Sequence, residues 1–209
     1  MAAPLPWLKP AVLTGSLLPL VEMLISGLRG TLGPNVIEEV LNRLGMIALV
    51  LLLGSLTLTP LHLLFGWRWP ARIRRWVGNL AFTYVLLHFL TYAVLDQSLA
   101  VDAILEDLTQ RPFILFGFSA FLLLIPLAAT STDAMVKRLG YVRWKRLHRL
   151  VYLAAGLGAL HYFLRVKADL TQPLFYATLL AALFVVRLVD AAKKRRARRE
   201  REAARADVR

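Results

Sequence analysis

The residues of this chain best suited to hold a metal are its four histidines, His62, His88, His148 and His161. There is no cysteine, which excludes disulfides, iron–sulfur clusters and thiolate chemistry. A resident metal must therefore be bound by imidazole, thioether, carboxylate or backbone oxygen. Two of the four histidines sit near the ends of one apolar stretch, YVRWKRLHRLVYLAAGLGALHYF at 141–163, and His88 lies in another, RIRRWVGNLAFTYVLLHFLTYAVLD. Glu22 and Arg187 also fall within apolar runs. Ionisable groups at membrane depth are costly and mark functional positions.

The elements that place these residues follow from composition. The 209 residues are 58% hydrophobic and 19% charged, and the apolar residues come in runs of about 20, the length that crosses a hydrocarbon core. The expected fold is all-α, a polytopic membrane protein built as a six-transmembrane-helix bundle. The spans fall at about 11–28, 44–65, 76–95, 112–130, 147–164 and 173–189. Pro19 interrupts the first and Pro60 lies near the end of the second, while Pro112 and Pro173 open the fourth and sixth at the position a helix tolerates best. Residues 1–10 read as a cytoplasmic N-terminus, 11–190 as the membrane domain and 191–209 as a basic cytoplasmic tail. The first apolar run reads as a retained helix, since only Lys9 precedes it and no cleavage site is evident.

Charge orients the bundle. Arg68, Arg72, Arg74 and Arg75 lie between spans two and three, and Lys137, Arg138, Arg143, Lys145 and Arg146 lie between four and five. The tail beyond Asp190 adds nine basic residues. The alternate connections are acidic or balanced, with Glu38 and Glu39 in one and Asp96, Asp102, Glu106 and Asp107 in another. The positive-inside rule then puts both termini in the cytoplasm. It also accounts for the net charge of +13 without nucleic acid. The tail reads as a solvated helix extension near anionic lipid.

Spans three and five start on the same side and run parallel. His88 lies 12 residues beyond Trp76, and His161 lies 14 beyond Leu147, or roughly 18 and 21 Å of helix. Both imidazoles therefore reach similar depth in the outer half of the bilayer. Two neutral imidazoles on facing helices can clamp a haem iron at both axial positions, an arrangement suited to electron transfer rather than oxygen binding. The competing reading is that each merely hydrogen-bonds a neighbouring helix.

His148 precedes His161 by 13 residues. On a straight helix that is about 20 Å toward the cytoplasm and about 140° around the axis, so the two cannot share a ligand. Three readings stand for His148: ligand to a second haem, with His62 or an unknown partner; contact to a flavin or quinone; or interfacial residue. Arg72, Arg74, Arg75, Lys137 and Arg138 can face a phosphate-bearing cofactor. Trp67, Trp69, Trp76 and Trp144 read as an interfacial belt. Arg187 is expected to snorkel to the cytoplasmic surface. Glu22 is either a proton or quinone contact or the partner of another helix.

The run LAATSTDAMVKRLGYVRWKRLHRLVY, with HYFLRVK after it, closely resembles the MsrQ (YedZ) family. The segment around His88, the LTP at 58–60 and the RPF at 111–113 extend the resemblance to about residues 5–190. The resemblance implies a place in the ferric-reductase-like transmembrane group, as the haem-binding subunit of the MsrPQ methionine-sulfoxide reductase system. It implies b-type haem and FMN as cofactors, with His88, His148 and His161 as the haem histidines. It implies a cell inner membrane location and electrons drawn from the quinone pool or a cytosolic flavin reductase. The electrons go to a periplasmic MsrP-type catalytic subunit, which repairs oxidised proteins. Sulfoxide chemistry is then expected on the partner, and no catalytic residue is assigned here.

Larger members of the group carry two histidines on each haem helix, whereas span three here has one, which leaves the expected haem count at one or two. They also fuse a cytosolic FAD and NAD(P)H domain; none is read in these 209 residues, so the electrons are expected to come from a separate donor or from quinol. The acidic connection around Asp102–Asp107 is expected to help dock the partner. Rival readings are a partner-independent quinol or ferric reductase and a haem-free scaffold or transporter.

Overall fold

The computed structural model describes residues 5–206. Residues 1–4 and 207–209, at the extremes of the two expected cytoplasmic ends, lie outside the described residues. Every regular element among those described is helical.

Helix α1 spans Leu8–Leu28 and α2 spans Val36–Phe65. Helix α3, Trp69–Leu90, runs on into a π-helical turn at Thr91–Asp96. The remaining helices are α4 (Val101–Gln110), α5 (Pro112–Ala129), α6 (Asp133–Leu139), α7 (Tyr141–Leu147), α8 (Leu150–Arg165) and α9 (Thr171–Ala206). Five of them, α1, α2, α3 with its π turn, α5 and α9, are long and apolar enough to cross a membrane. Helix α8 has 16 residues, about 24 Å of rise, and is shorter than the hydrocarbon core.

Several boundaries differ from the sequence expectation for local reasons. Pro19 does not interrupt α1, which continues through it; membrane helices re-satisfy the carbonyl that a proline frees. Helix α2 begins at Val36 because Asn35 caps it. The Asn35 side chain accepts from the Glu38 backbone N–H and donates to the Glu38 carboxylate, both at 3.2 Å. Gly66 ends α2 in the left-handed conformation, φ 68°, which glycine adopts without a Cβ penalty. Helix α9 passes without a break from the sixth apolar run into the basic tail. There, Glu and Asp at i,i±4 pair with Lys194, Arg196 and Arg198 at 2.7–2.9 Å.

The fifth expected span is not one straight helix. Helix α7 ends at Leu147 with His148 as its C-cap, and α8 starts at Leu150. His148 therefore sits at a joint, and the spacing of 20 Å and 140° expected on a continuous helix does not apply. The preceding connection, expected as a basic loop, folds into α6 and α7.

Helices α2, α3, α5, α8 and α9 share one core. Leu53, Ala81, Leu124, Ala154, Ala155 and Leu180 are buried at its centre. Ala154 and Ala155 on α8 are fully covered, and such small side chains let membrane helices approach closely. Helix α1 is attached at the rim, where the Tyr84 hydroxyl on α3 donates to the Ser16 carbonyl.

Candidate functional site

His88 on α3 and His161 on α8 meet across the bundle. Their ring centroids are 6.1 Å apart at an interplanar angle of 80°. Both line one cavity of about 910 Å³, at the upper limit of typical ligand pockets. Its body is apolar, with Leu49, Leu52, Phe121 and Leu124 among its walls. The end of the bundle where α2 starts and α8 finishes is its upper end. The opposite end, where His148 lies, is the lower end.

The two imidazoles are held by the same device. His88 Nδ1 lies 2.9 Å from the Leu41 carbonyl on α2, and His161 Nδ1 lies 2.6 Å from the Phe113 carbonyl on α5. A carbonyl only accepts, so each Nδ1 carries the proton and donates. Each Nε2 then keeps its lone pair, the tautomer a metal-binding histidine needs. Four residues beyond each accepting carbonyl stands a glycine, Gly45 after Leu41 and Gly117 after Phe113. Helical side chains tilt toward the N-terminus and cover the turn before them. A glycine leaves that carbonyl open to a ring from outside. A Cβ at Gly45 would stand 3.1 Å from His88 Cε1, and one at Gly117 only 2.7 Å from His161 Nδ1. The walls of α2 and α5 are thus cut to seat the two rings.

This donor set suits a haem. A histidine–metal bond is about 2 Å, and each ring centre lies about 1 Å behind its nitrogen. Two imidazoles on opposite faces of one metal therefore have centres roughly 6 Å apart, the separation observed. Phe89, Phe118 and Phe121 line the same cavity and pack on one another with ring centres 4.6–6.5 Å apart, offering flat apolar surface.

His148 is placed apart from this pair. Its Nε2 lies 3.1 Å from Thr130 Oγ1, and its ring lies on Trp144 with centroids 4.1 Å apart. Trp144 Nε1 donates to the Thr130 carbonyl at 2.9 Å. Trp144 thus has a partner inside the protein and does not act only as a belt residue. His62, exposed, has Nδ1 2.6 Å from the Trp67 carbonyl in its own C-terminal turn. No group of three or more His, Cys, Asp or Glu gathers for a metal among the described residues.

Arg74 donates to Thr59 Oγ1 at 3.0 Å, and Arg75 pairs with Asp133 at 2.5 Å. Arg75 thereby ties the start of α3 to the start of α6. Its guanidinium holds the exposed Asp133 carboxyl below the ordinary carboxylate range.

Glu22 pairs with Arg43 on α2 at 2.7 Å, so of its two readings the interhelical partner is the one observed. Arg187 does not snorkel. It turns inward from α9, donates to the Tyr152 hydroxyl on α8 and to the Leu56 carbonyl on α2, the latter at 2.6 Å, and lies 4.9 Å from the Tyr152 ring centre. Asp107, counted in the acidic docking face, is buried. It accepts from Tyr92 at 2.9 Å and pairs with Arg111 at 3.1 Å.

Sequence reasoning missed Gly45, Gly117 and Thr130. Glycines are frequent in membrane helices, and Gly15, Gly54 and Gly78 meet nothing within 4 Å. Only the fold tells the seating glycines from the rest.

A helical membrane bundle with two histidines facing each other across its interior defines the class, and comparison agrees. The family model for the ferric reductase like transmembrane component matches residues 39–159. Over 189 residues the chain is 52% identical to a Rhodospirillum rubrum protein named protein-methionine-sulfoxide reductase heme-binding subunit MsrQ, covering 90% of this chain and 91% of the relative. A Deinococcus radiodurans protein of the same name is 47% identical over 94% of this chain and 97% of its own length. The chain belongs to the MsrQ family, within the ferric-reductase-like transmembrane group. No solved structure matches it.

Proposed function

We propose that this chain is the haem-binding membrane subunit of a methionine-sulfoxide reductase system. It passes electrons from the quinone pool across the inner membrane to a periplasmic MsrP-type catalytic subunit. The observation that carries the reading is the His88–His161 pair, with each Nδ1 committed to a carbonyl and each Nε2 free in one cavity. The names of the relatives support haem as the guest. A bound b-type haem supplies one-electron redox chemistry. His88 and His161 would hold the group and set its depth, and the phenylalanines would exclude water from it.

In this reading α8 is the fifth of six spans, completing its crossing through the joint at His148. Both termini are cytoplasmic, so the upper end faces the periplasmic partner. The lower end, with His148, Trp144, Arg74 and Arg75, faces the electron donor, quinol or a cytosolic flavin reductase, and the FMN site. One haem occupies the upper site. His148, already bonded to Thr130, contacts the lower cofactor rather than a second iron.

The test is a reduced-minus-oxidised spectrum of the purified chain from haem-replete cells. A b-type spectrum that disappears in His88→Ala and in His161→Ala is expected. A folded but colourless preparation would end the proposal. Adding a quinol and then the oxidised periplasmic subunit tests the electron path, because the haem should reduce and then reoxidise.

A further inference from the structure

The cavity that holds His88 and His161 changes character along its length. Below the histidines its walls are aliphatic and aromatic, while its upper mouth carries Arg43, Arg111 and Arg165 beside Glu22, Glu38 and Asp96. A guest that matches both regions is broad and apolar, with anionic groups on one edge.

The three guanidiniums at the mouth are not equally committed. Arg43 is held at 2.7 Å by both Glu22 and Glu39. Arg111 pairs with Asp107 at 3.1 Å. The carboxylate on Arg165 is Glu38, at a long 3.5 Å, and Glu38 is already engaged by Asn35 at 3.2 Å. Arg165 also stands four residues beyond His161 on α8. Residues four apart lie on one helix face, so this guanidinium sits one turn above the imidazole, toward the mouth.

We propose that Arg165 is the anion anchor of this cavity, binding a carboxylate on the upper edge of the macrocycle seated between His88 and His161. The inference rests on the haem reading, since protohaem carries two propionates on one edge. The planar guanidinium fork suits a carboxylate. Glu38 is then the competitor, and the guest displaces it from Arg165. Arg165 is a positioning residue: it fixes which edge of the macrocycle points up and touches no reacting atom.

Full-length apo-protein from haem-depleted cells, in detergent, is titrated with protohaem and with its dimethyl ester, following the Soret band. Arg165→Gln is expected to weaken protohaem binding by about tenfold or more, the loss of one charge-assisted contact, and to leave ester binding within about twofold. Glu38→Gln should tighten protohaem and not the ester. Equal loss for both ligands, or no loss for either, overturns the anchor and leaves the haem reading standing. A folded wild-type chain that gives no b-type spectrum with either ligand removes both.

Discussion

His88 and His161 stand 6.1 Å apart between ring centres with their planes crossed at 80°, each with Nδ1 tied to a carbonyl of a different neighbouring helix. Four helices therefore define one site: α3 and α8 supply the rings, and α2 and α5 supply the carbonyls and glycines that seat them.

The seating glycines give a graded prediction. Gly117→Ala places a Cβ 2.7 Å from His161 Nδ1, and Gly45→Ala places one 3.1 Å from His88. The first distance forces the ring to move, and the second asks for a few tenths of an ångström. Haem content per purified protein, measured as the pyridine haemochrome, should fall strongly in Gly117→Ala and mildly in Gly45→Ala. The reverse order would mean that the rings are not seated this way.

His148→Ala should keep the wild-type amount of b-type haem, because its Nε2 is engaged by Thr130 and its ring by Trp144. Under the proposed function, electron entry at the lower end should slow, read as the rate of haem reduction by quinol. Loss of half the haem would show a second iron at the lower end.

Arg187 predicts a stability effect. Tyr152→Phe removes an acceptor from a half-buried guanidinium and should cost ~1–3 kcal/mol. Arg187→Ala should cost at least as much, since it also leaves the Tyr152 hydroxyl without that partner. Denaturant unfolding in mixed micelles measures both, and a change below about 0.5 kcal/mol would assign Arg187 no clamping role.

The Arg75–Asp133 pair makes a pH prediction. The folded carboxyl titrates below its unfolded value, about 3.9 for an aspartate. The pair's contribution is complete above that unfolded value and is lost as pH falls through the lower folded one. Both side chains are solvent-accessible, so its effect on stability is small. Arg75→Gln should return the Asp133 carboxyl to the ordinary range, observable by NMR titration of the labelled carboxyl.

Much of this was legible in the chain itself. Hydrophobic runs and prolines located the membrane helices, and pacing along two parallel spans brought His88 and His161 to one depth. What spacing could not reach was the third dimension. Nothing in the order of residues marks Leu41 and Phe113 as the carbonyls that receive the two rings, because any helical carbonyl is already bonded four residues on. The joint at His148 was hidden for a related reason: LHRLVY keeps an unbroken helical pattern, and the break shows only in the backbone. Arg187 was misjudged because length and flexibility favour snorkelling, while the Tyr152 hydroxyl and Leu56 carbonyl that hold it lie on other helices. Asp107 looked like surface charge until Tyr92 and Arg111 closed over it.

The Arg187 clamp also bears on how the protein is made. The arginine is carried by α9, and both its acceptors are on helices that precede α9 in the chain and are synthesised earlier. A guanidinium entering hydrocarbon alone is opposed by roughly 2.5–3.5 kcal/mol. Here it arrives where Tyr152 and Leu56 already wait. Arg187 is therefore fully seated only once α2 and α8 have come together, which ties the packing of α9 to that of helices made before it.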